Sequence, residues 1–140
     1  MLSSADCYKK YGNPIKESNM TLFVVPNYLQ LGSIPKKIYC NKDLVAPLTE
    51  AFENVLSAGI SDQIKTWDGC FNIRSKRGSS NLSLHAWGVA IDINAAWNRF
   101  GKQPTMSKEL VDCFKRAGFD WGGEWKAPKT DGMHFQLKKI

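Results

Sequence analysis

The 140-residue chain holds two histidines, and each lies in a short string that also carries a carboxylate. The first string is Ser83-Leu84-His85-Ala86-Trp87-Gly88-Val89-Ala90-Ile91-Asp92, and the second is Asp131-Gly132-Met133-His134-Phe135-Gln136. Two imidazoles and one carboxylate form the donor inventory of a hydrolytic metal centre. Such a centre needs three protein ligands, an open position for water and a base nearby. Zn2+ suits this set, because neutral imidazoles match its borderline softness and a single carboxylate lowers the charge of the site without closing it. Asp131 is the candidate base: a tight turn through Gly132 would hold its carboxylate beside the metal without making it a ligand. Glu124, in Trp121-Gly122-Gly123-Glu124-Trp125, competes for that role, and proximity to His134 favours Asp131.

Each of these residues also has a plainer reading. A lone histidine near a strand is usually just hydrogen-bonded, and Asp92 after an apolar run can cap a turn. Asp131-Gly132 is a common turn dipeptide, and Trp87, Trp121 and Trp125 suit a core or a cleft wall. Spacing alone leaves the zinc reading open.

The elements around these strings decide whether the donors can meet. Along Val89–Ile93, strand alternation puts Val89, Ile91 and Ile93 on one face and Ala90 and Asp92 on the other. Along Met133–Leu137, it puts Met133, Phe135 and Leu137 on one face and His134 and Gln136 on the other. If the two strands are neighbours, Asp92 and His134 lie side by side on a polar surface, and Gly88 lets the chain curl His85 back over it. Elsewhere Ser4–Tyr11 reads as a short helix stopped by Gly12-Asn13-Pro14, and Thr21–Val25 as a strand closed by Pro26-Asn27. A helix is expected within Asn41–Ala58, with Leu44, Leu48, Phe52, Val55 and Leu56 at helical spacing. Pro47 marks its main start and Gly59 its end. Ser107 should cap another helix, with Leu110, Val111, Phe114 and Ala117 on one face. Helices mixed with short strands, and no βαβ rhythm, indicate an α+β fold.

The length suits one domain spanning residues 1–140, with a hydrophobic fraction of 43%. No apolar run is long enough for a transmembrane helix, and no basic stretch followed by an apolar one marks an export signal, so synthesis in the cytoplasm is expected. The formal net charge of +6 points to an anionic partner. Without a clustered basic helix or an RNA-binding aromatic motif, that partner is not expected to be nucleic acid. Cys7, Cys40, Cys70 and Cys113 include no Cys-x-x-Cys pair and read as free buried thiols.

The string from Ser83 to Asp92 resembles the Ser-x-His-x-x-Gly-x-Ala-x-Asp motif of the D-alanyl-D-alanine carboxypeptidase and L-alanyl-D-glutamate endopeptidase family of zinc peptidases. That family includes vancomycin-resistance carboxypeptidases and phage endolysins. Phe119–Trp125 followed by Asp131–Gln136 is similar to the family's second signature, and Asp68–Arg74 to the segment carrying its active-site arginine. The resemblance spans roughly Thr66 to Leu137. It implies a small antiparallel sheet flanked by helices, hedgehog/D-Ala-D-Ala-peptidase-like, with zinc held by His85, Asp92 and His134. Asp131 takes the base position, Arg74 the oxyanion-stabilising one, and Ser83 a supporting one. Glu124, Trp125 and Trp121 fall among substrate-binding or supporting residues. Gln136 departs from the family, where many relatives carry Glu or His. The implied substrate is a bacterial peptidoglycan stem peptide, cut at the L-alanyl–D-glutamate bond by a monomeric, phage-type endolysin that reaches the wall after holin-type release. A D-alanyl-D-alanine carboxypeptidase and a non-catalytic zinc-containing wall-binding module are the alternatives.

Overall fold

Ser3 opens helix α1 (Ser4–Tyr11) with a capping box, its hydroxyl accepting from the Asp6 N–H while the Asp6 carboxylate accepts from the Ser3 N–H. Tyr11 then ties this helix to the turn before α2, donating its hydroxyl to Asp43 at 2.6 Å. The computed structural model describes all residues from Met1 to Ile140. Strands β1 (Met20–Val24) and β2 (Lys37–Asn41) form an antiparallel pair, from Met20 opposite Asn41 to Val24 opposite Lys37.

Helix α2 (Val45–Ala58) begins two residues before Pro47, which sits in its first turn, where an N–H has no intrahelical partner to lose. Leu48, Phe52 and Val55 are buried along it, as is Leu44 just ahead of it, whereas Leu56 is 43% exposed. The expectation that Leu56 shares their face is corrected by helical rotation, since eight residues past Leu48 it has turned about 80° away. Helix α3 (Lys108–Arg116) starts as expected at Ser107, whose hydroxyl accepts from the Leu110 N–H. It packs on α2, and Asn54 donates to the Cys113 carbonyl at 2.9 Å.

The second sheet carries the candidate ligands. Its strands are β3 (Trp67–Gly69), β4 (Ala90–Ile93), β5 (Phe119–Trp121) and β6 (His134–Leu137), in the order β3-β4-β6-β5 and antiparallel throughout. Every residue of β4 and β6 is buried. One face supplies Ile91, Ile93, Phe135 and Leu137 to the core, where Phe114 of α3 stacks on Phe135 with ring centroids 4.5 Å apart. The other face presents Asp92, His134 and Gln136. The expected α+β arrangement, a small antiparallel sheet with helices against it, is therefore present, with the β1–β2 hairpin as an additional sheet.

No helix is long and apolar enough to cross a membrane. The four cysteines are free and buried, and burial pushes the Cys7 and Cys40 thiols up to about 12, which leaves them unreactive.

Candidate metal centre and cleft

Strand register does the first part of the assembly. Asp92 on β4 pairs directly with His134 on β6, so the two side chains leave the same face as neighbours. His85 arrives from the 3-10 turn Leu84–Trp87, where the Ser83 hydroxyl accepts from the His85 N–H. That turn ends at Gly88, which is left-handed at φ 67° and packed so closely that a β-carbon would lie 2.7 Å from the Asn41 backbone nitrogen. Only glycine fits there. Asn41 completes the clamp, its side-chain amide donating to the Trp87 carbonyl and its N–H to the Gly88 carbonyl, both at 3.0 Å. The segment after β3 lies alongside: Asn72 N–H donates to the His85 carbonyl, and Ser83 N–H to the Arg74 carbonyl.

His85, Asp92 and His134 each offer a ligand atom, and these atoms all lie within 4.8 Å of one another. Nε2 of His85 is 3.2 Å from Asp92 Oδ2, and Nδ1 of His134 is 3.4 Å from Asp92 Oδ1 and 3.2 Å from His85 Nε2. The outer nitrogens fix the tautomers. Nδ1 of His85 faces the Cys70 carbonyl at 2.7 Å, and Nε2 of His134 faces Gln136 Oε1 at 2.9 Å. The Gln136 amide is oriented in turn by donating its Nε2 to the Leu2 carbonyl at 3.4 Å. Both outer partners are acceptors, so each outer nitrogen carries the hydrogen and each inner nitrogen turns a lone pair toward Asp92.

Two such acceptors cannot face each other at this range without a cation between them. A proton on His134 is one answer: burial works against it, but Asp92 overrides burial and raises the His134 pKa. A metal ion answers more fully, because Asp92 Oδ1 is buried with no hydrogen-bond partner, His134 Nδ1 being close but misaligned. Burial alone would push Asp92 up as well, yet the two imidazoles hold it well below the ordinary carboxylate range, ready as a ligand. The donor set is therefore one that zinc fits.

Asp92 and His134 line a cleft of about 680 Å³, with His85 buried beside them. Arg74 enters from one side, its guanidinium 3.9 Å from Asp92 Oδ2. Asp131 lines the same cleft, with Oδ1 buried and unpartnered. Burial pushes the Asp131 carboxyl above its ordinary value; His134 opposes that shift and the Asp92 charge adds to it. The turn holding Asp131 is braced by the Trp121–Glu124 stretch. Asp131 N–H donates to the Gly122 carbonyl at 2.9 Å, and a β-carbon on Gly122 would collide with the Asp131 carbonyl oxygen. Trp121, expected among the substrate-binding or supporting residues and to suit a core or cleft wall, lies behind the turn, donating Nε1 to the Gly132 carbonyl at 2.8 Å and stacking on Phe135. Glu124 reaches the cleft edge, but both of its oxygens bind Lys115 Nζ at 2.9 Å, so its carboxylate is already engaged. Trp125 does line the cleft, its ring 5.2 Å from that of His134.

Residues 77–137 match the family model described as D-alanyl-D-alanine carboxypeptidase, a span that contains His85, Asp92, Asp131 and His134 but begins after Arg74. Over that span, just under half of its length, the chain is similar to the D-alanyl-D-alanine carboxypeptidase family. A solved structure, the Serratia marcescens L-Ala D-Glu endopeptidase ChiX, is similar at 23% sequence identity and a TM-score of 0.45, over 70% of this chain and 80% of that one.

Sequence reasoning missed the Cys70 carbonyl behind His85 and the Leu2 carbonyl behind Gln136. The first is a backbone contact that no side-chain pattern encodes. Alternation did place Gln136 on the His134 face, so the signal for that contact existed.

Proposed function

We propose that this protein is a zinc-dependent endopeptidase that cuts peptidoglycan stem peptides at the L-alanyl–D-glutamate bond, in the manner of an endolysin acting on the wall. The observation that carries the metal-dependent reading is the convergence of two imidazole lone pairs on a carboxylate whose Oδ1 has no other partner. The cleft, of about 680 Å³, has room for more than one residue of a stem peptide.

Zinc bound by His85, Asp92 and His134 supplies a Lewis acid and a water acidified to near neutral pH. The protein's own groups do the rest. Asp131 accepts the proton of the attacking water on its unpartnered Oδ1 as the new C–O bond forms, then returns it to the leaving nitrogen as the C–N bond breaks. A carboxylate raised by burial is a better proton acceptor near neutrality than an ordinary one. The Arg74 guanidinium donates to the carbonyl oxygen as negative charge develops there. Trp125 walls the cleft beside His134 and keeps bulk water from that side. Ser83 and Trp121 act at one remove, the first holding the His85 turn and the second the Asp131 turn.

Digestion of purified peptidoglycan, with mass spectrometry of the fragments, tests the reading. New N-terminal D-glutamyl groups are expected from the zinc-loaded protein. Release of free D-alanine would instead mark a carboxypeptidase, and an intact wall polymer would leave only a binding module.

A further inference from the structure

Two separate segments surround the cleft, and both are basic. Lys76 and Arg77 come from the loop after Arg74, and Lys126 and Lys129 from the turn between Trp125 and Thr130. The loop closes on itself through the Ser75–Leu82 bridge and the Lys76 N–H to Asn81 carbonyl bond of 2.8 Å. The two segments meet through Phe100-Gly101. The Arg77 guanidinium lies 5.4 Å from the Phe100 ring centroid, and Gly101 N–H donates to the Thr130 carbonyl at 2.6 Å. The four cations thus form one arc along the cleft. All are exposed, and none has a carboxylate within ion-pair distance. Of the acids that share the cleft, Asp92 lies between the imidazoles and Glu124 is bound to Lys115, while Asp131 is buried and makes no ion pair with any of the four cations.

An unpaired arc of like charge around a concave site costs self-repulsion and is relieved by an anionic ligand. Resting on the peptidase reading for its substrate, we infer that this arc is a carboxylate-recognition rim, selecting stem peptides whose side-chain and α-carboxyl groups are free acids over forms in which they are amides. Amidation changes shape very little but removes the charge, so an uncharged rim would not distinguish the two. Each exposed cation–carboxylate contact contributes about two- to fivefold. Several together therefore give a preference of at least about tenfold.

The test uses the metal-loaded full chain and two synthetic stem peptides that differ only in carboxylate against carboxamide, with both binding and kcat/KM measured. The expected result is at least tenfold tighter binding of the acid form, weakening as salt rises from about 0.05 M to 0.5 M. The preference should collapse to within about twofold in the combined Lys76→Gln, Arg77→Gln, Lys126→Gln, Lys129→Gln variant, checked for an unchanged melting temperature. Lys36→Gln with Lys37→Gln, which removes charge at the β1–β2 hairpin outside the cleft, should leave the preference intact. The ratio between peptides is the readout because Arg77 acts electrostatically on Asp131 and its loss alters absolute rates. Equal binding of acid and amide overturns the inference, whether or not either peptide is cut. Preferential binding of the acid with no cleavage of either upholds the rim and sinks the peptidase reading instead. A polyglycerol-phosphate competitor that displaces neither peptide supports a peptide site. One that binds the rim while the peptides show no preference assigns the cations to a wall phosphate and overturns the inference.

Discussion

The two sheets of this molecule treat polar and apolar groups in opposite ways. In the β1–β2 hairpin the outward face is apolar and wet: Leu22 is 51% exposed, Val24 61% and Tyr39 40%. In the four-stranded sheet the face away from the core is polar and dry, with His85 at 2%, Asp92 at 8% and His134 at 5% exposed around it. Exposed apolar side chains cost little, since much of any folded surface is apolar. Buried polar atoms without partners cost about 1–3 kcal/mol each, and both Asp92 Oδ1 and Asp131 Oδ1 are in that condition. Such groups persist where they serve chemistry, so the contrast locates function in one sheet and scaffold in the other.

The contrast breaks most sharply at a ligand. His134→Ala should lose zinc and hydrolysis together, as measured by metal analysis after dialysis alongside a wall-lysis assay; full zinc occupancy in that variant removes His134 from the centre. Chelation of the wild type should lower its melting temperature, because the cation that reconciles the buried donors is withdrawn.

Asp131→Asn comes next. The amide is isosteric and cannot accept the proton, so kcat should fall about 100- to 10,000-fold with zinc retained. The wild-type rate should rise with pH through the Asp131 pKa, since the carboxylate is the working form. Burial puts that acid limb above the ordinary aspartate value of about 3.9. The limb should vanish in the variant, and an unchanged limb assigns it to another group. Glu124 is the comparison: engaged by Lys115 and half exposed, it should tolerate Glu124→Gln with little loss.

Much of this division could be read from the sequence, and the reasons are local. Alternation along Val89–Ile93 and Met133–Leu137 gives each strand one apolar face, except that Met133 lies ahead of β6 and lines the cleft rather than the core. Two strands that bury those faces on one core must align their polar residues, which is why Asp92 and His134 meet. The Ser107 cap and the α1 boundaries were equally visible, because capping is short-range chemistry. What stayed hidden depends on contacts distant in sequence. Lys115 captures Glu124 only because α3 runs back beside that turn, Gln136 is oriented by Leu2 from the far end of the chain, and Trp121 turns inward to the Gly132 carbonyl. Leu56 matched the apolar composition of the α2 face but not its angle.

Arg74 tests whether the polar face extends beyond the metal. Arg74→Ala should reduce kcat at least tenfold, and about 100- to 1000-fold if its donors meet the developing oxyanion directly. Unchanged kinetics would confine its role to pairing with Asp92. Gln136 sharpens the same question one layer back. Gln136→Leu keeps the volume but leaves His134 Nε2 without an acceptor, freeing the tautomer. Zinc affinity should weaken about 10- to 100-fold in competition with a chelator.

The smallest effect is expected in the hairpin, and it decides whether the contrast is one of function or merely of burial. Leu22→Thr and Val24→Thr keep β-branched or strand-compatible residues on an exposed face, with the register to Tyr39 and Lys37 undisturbed. Melting temperature should correspond to a change within about 0.5 kcal/mol, with zinc affinity and hydrolysis unaltered. Stability is insensitive here because these side chains are already largely in water, so their replacement removes little buried area. Loss of wall lysis with zinc and fold intact would mean that the hairpin's apolar face touches the polymer, and the scaffold would then have to be counted as part of the working surface.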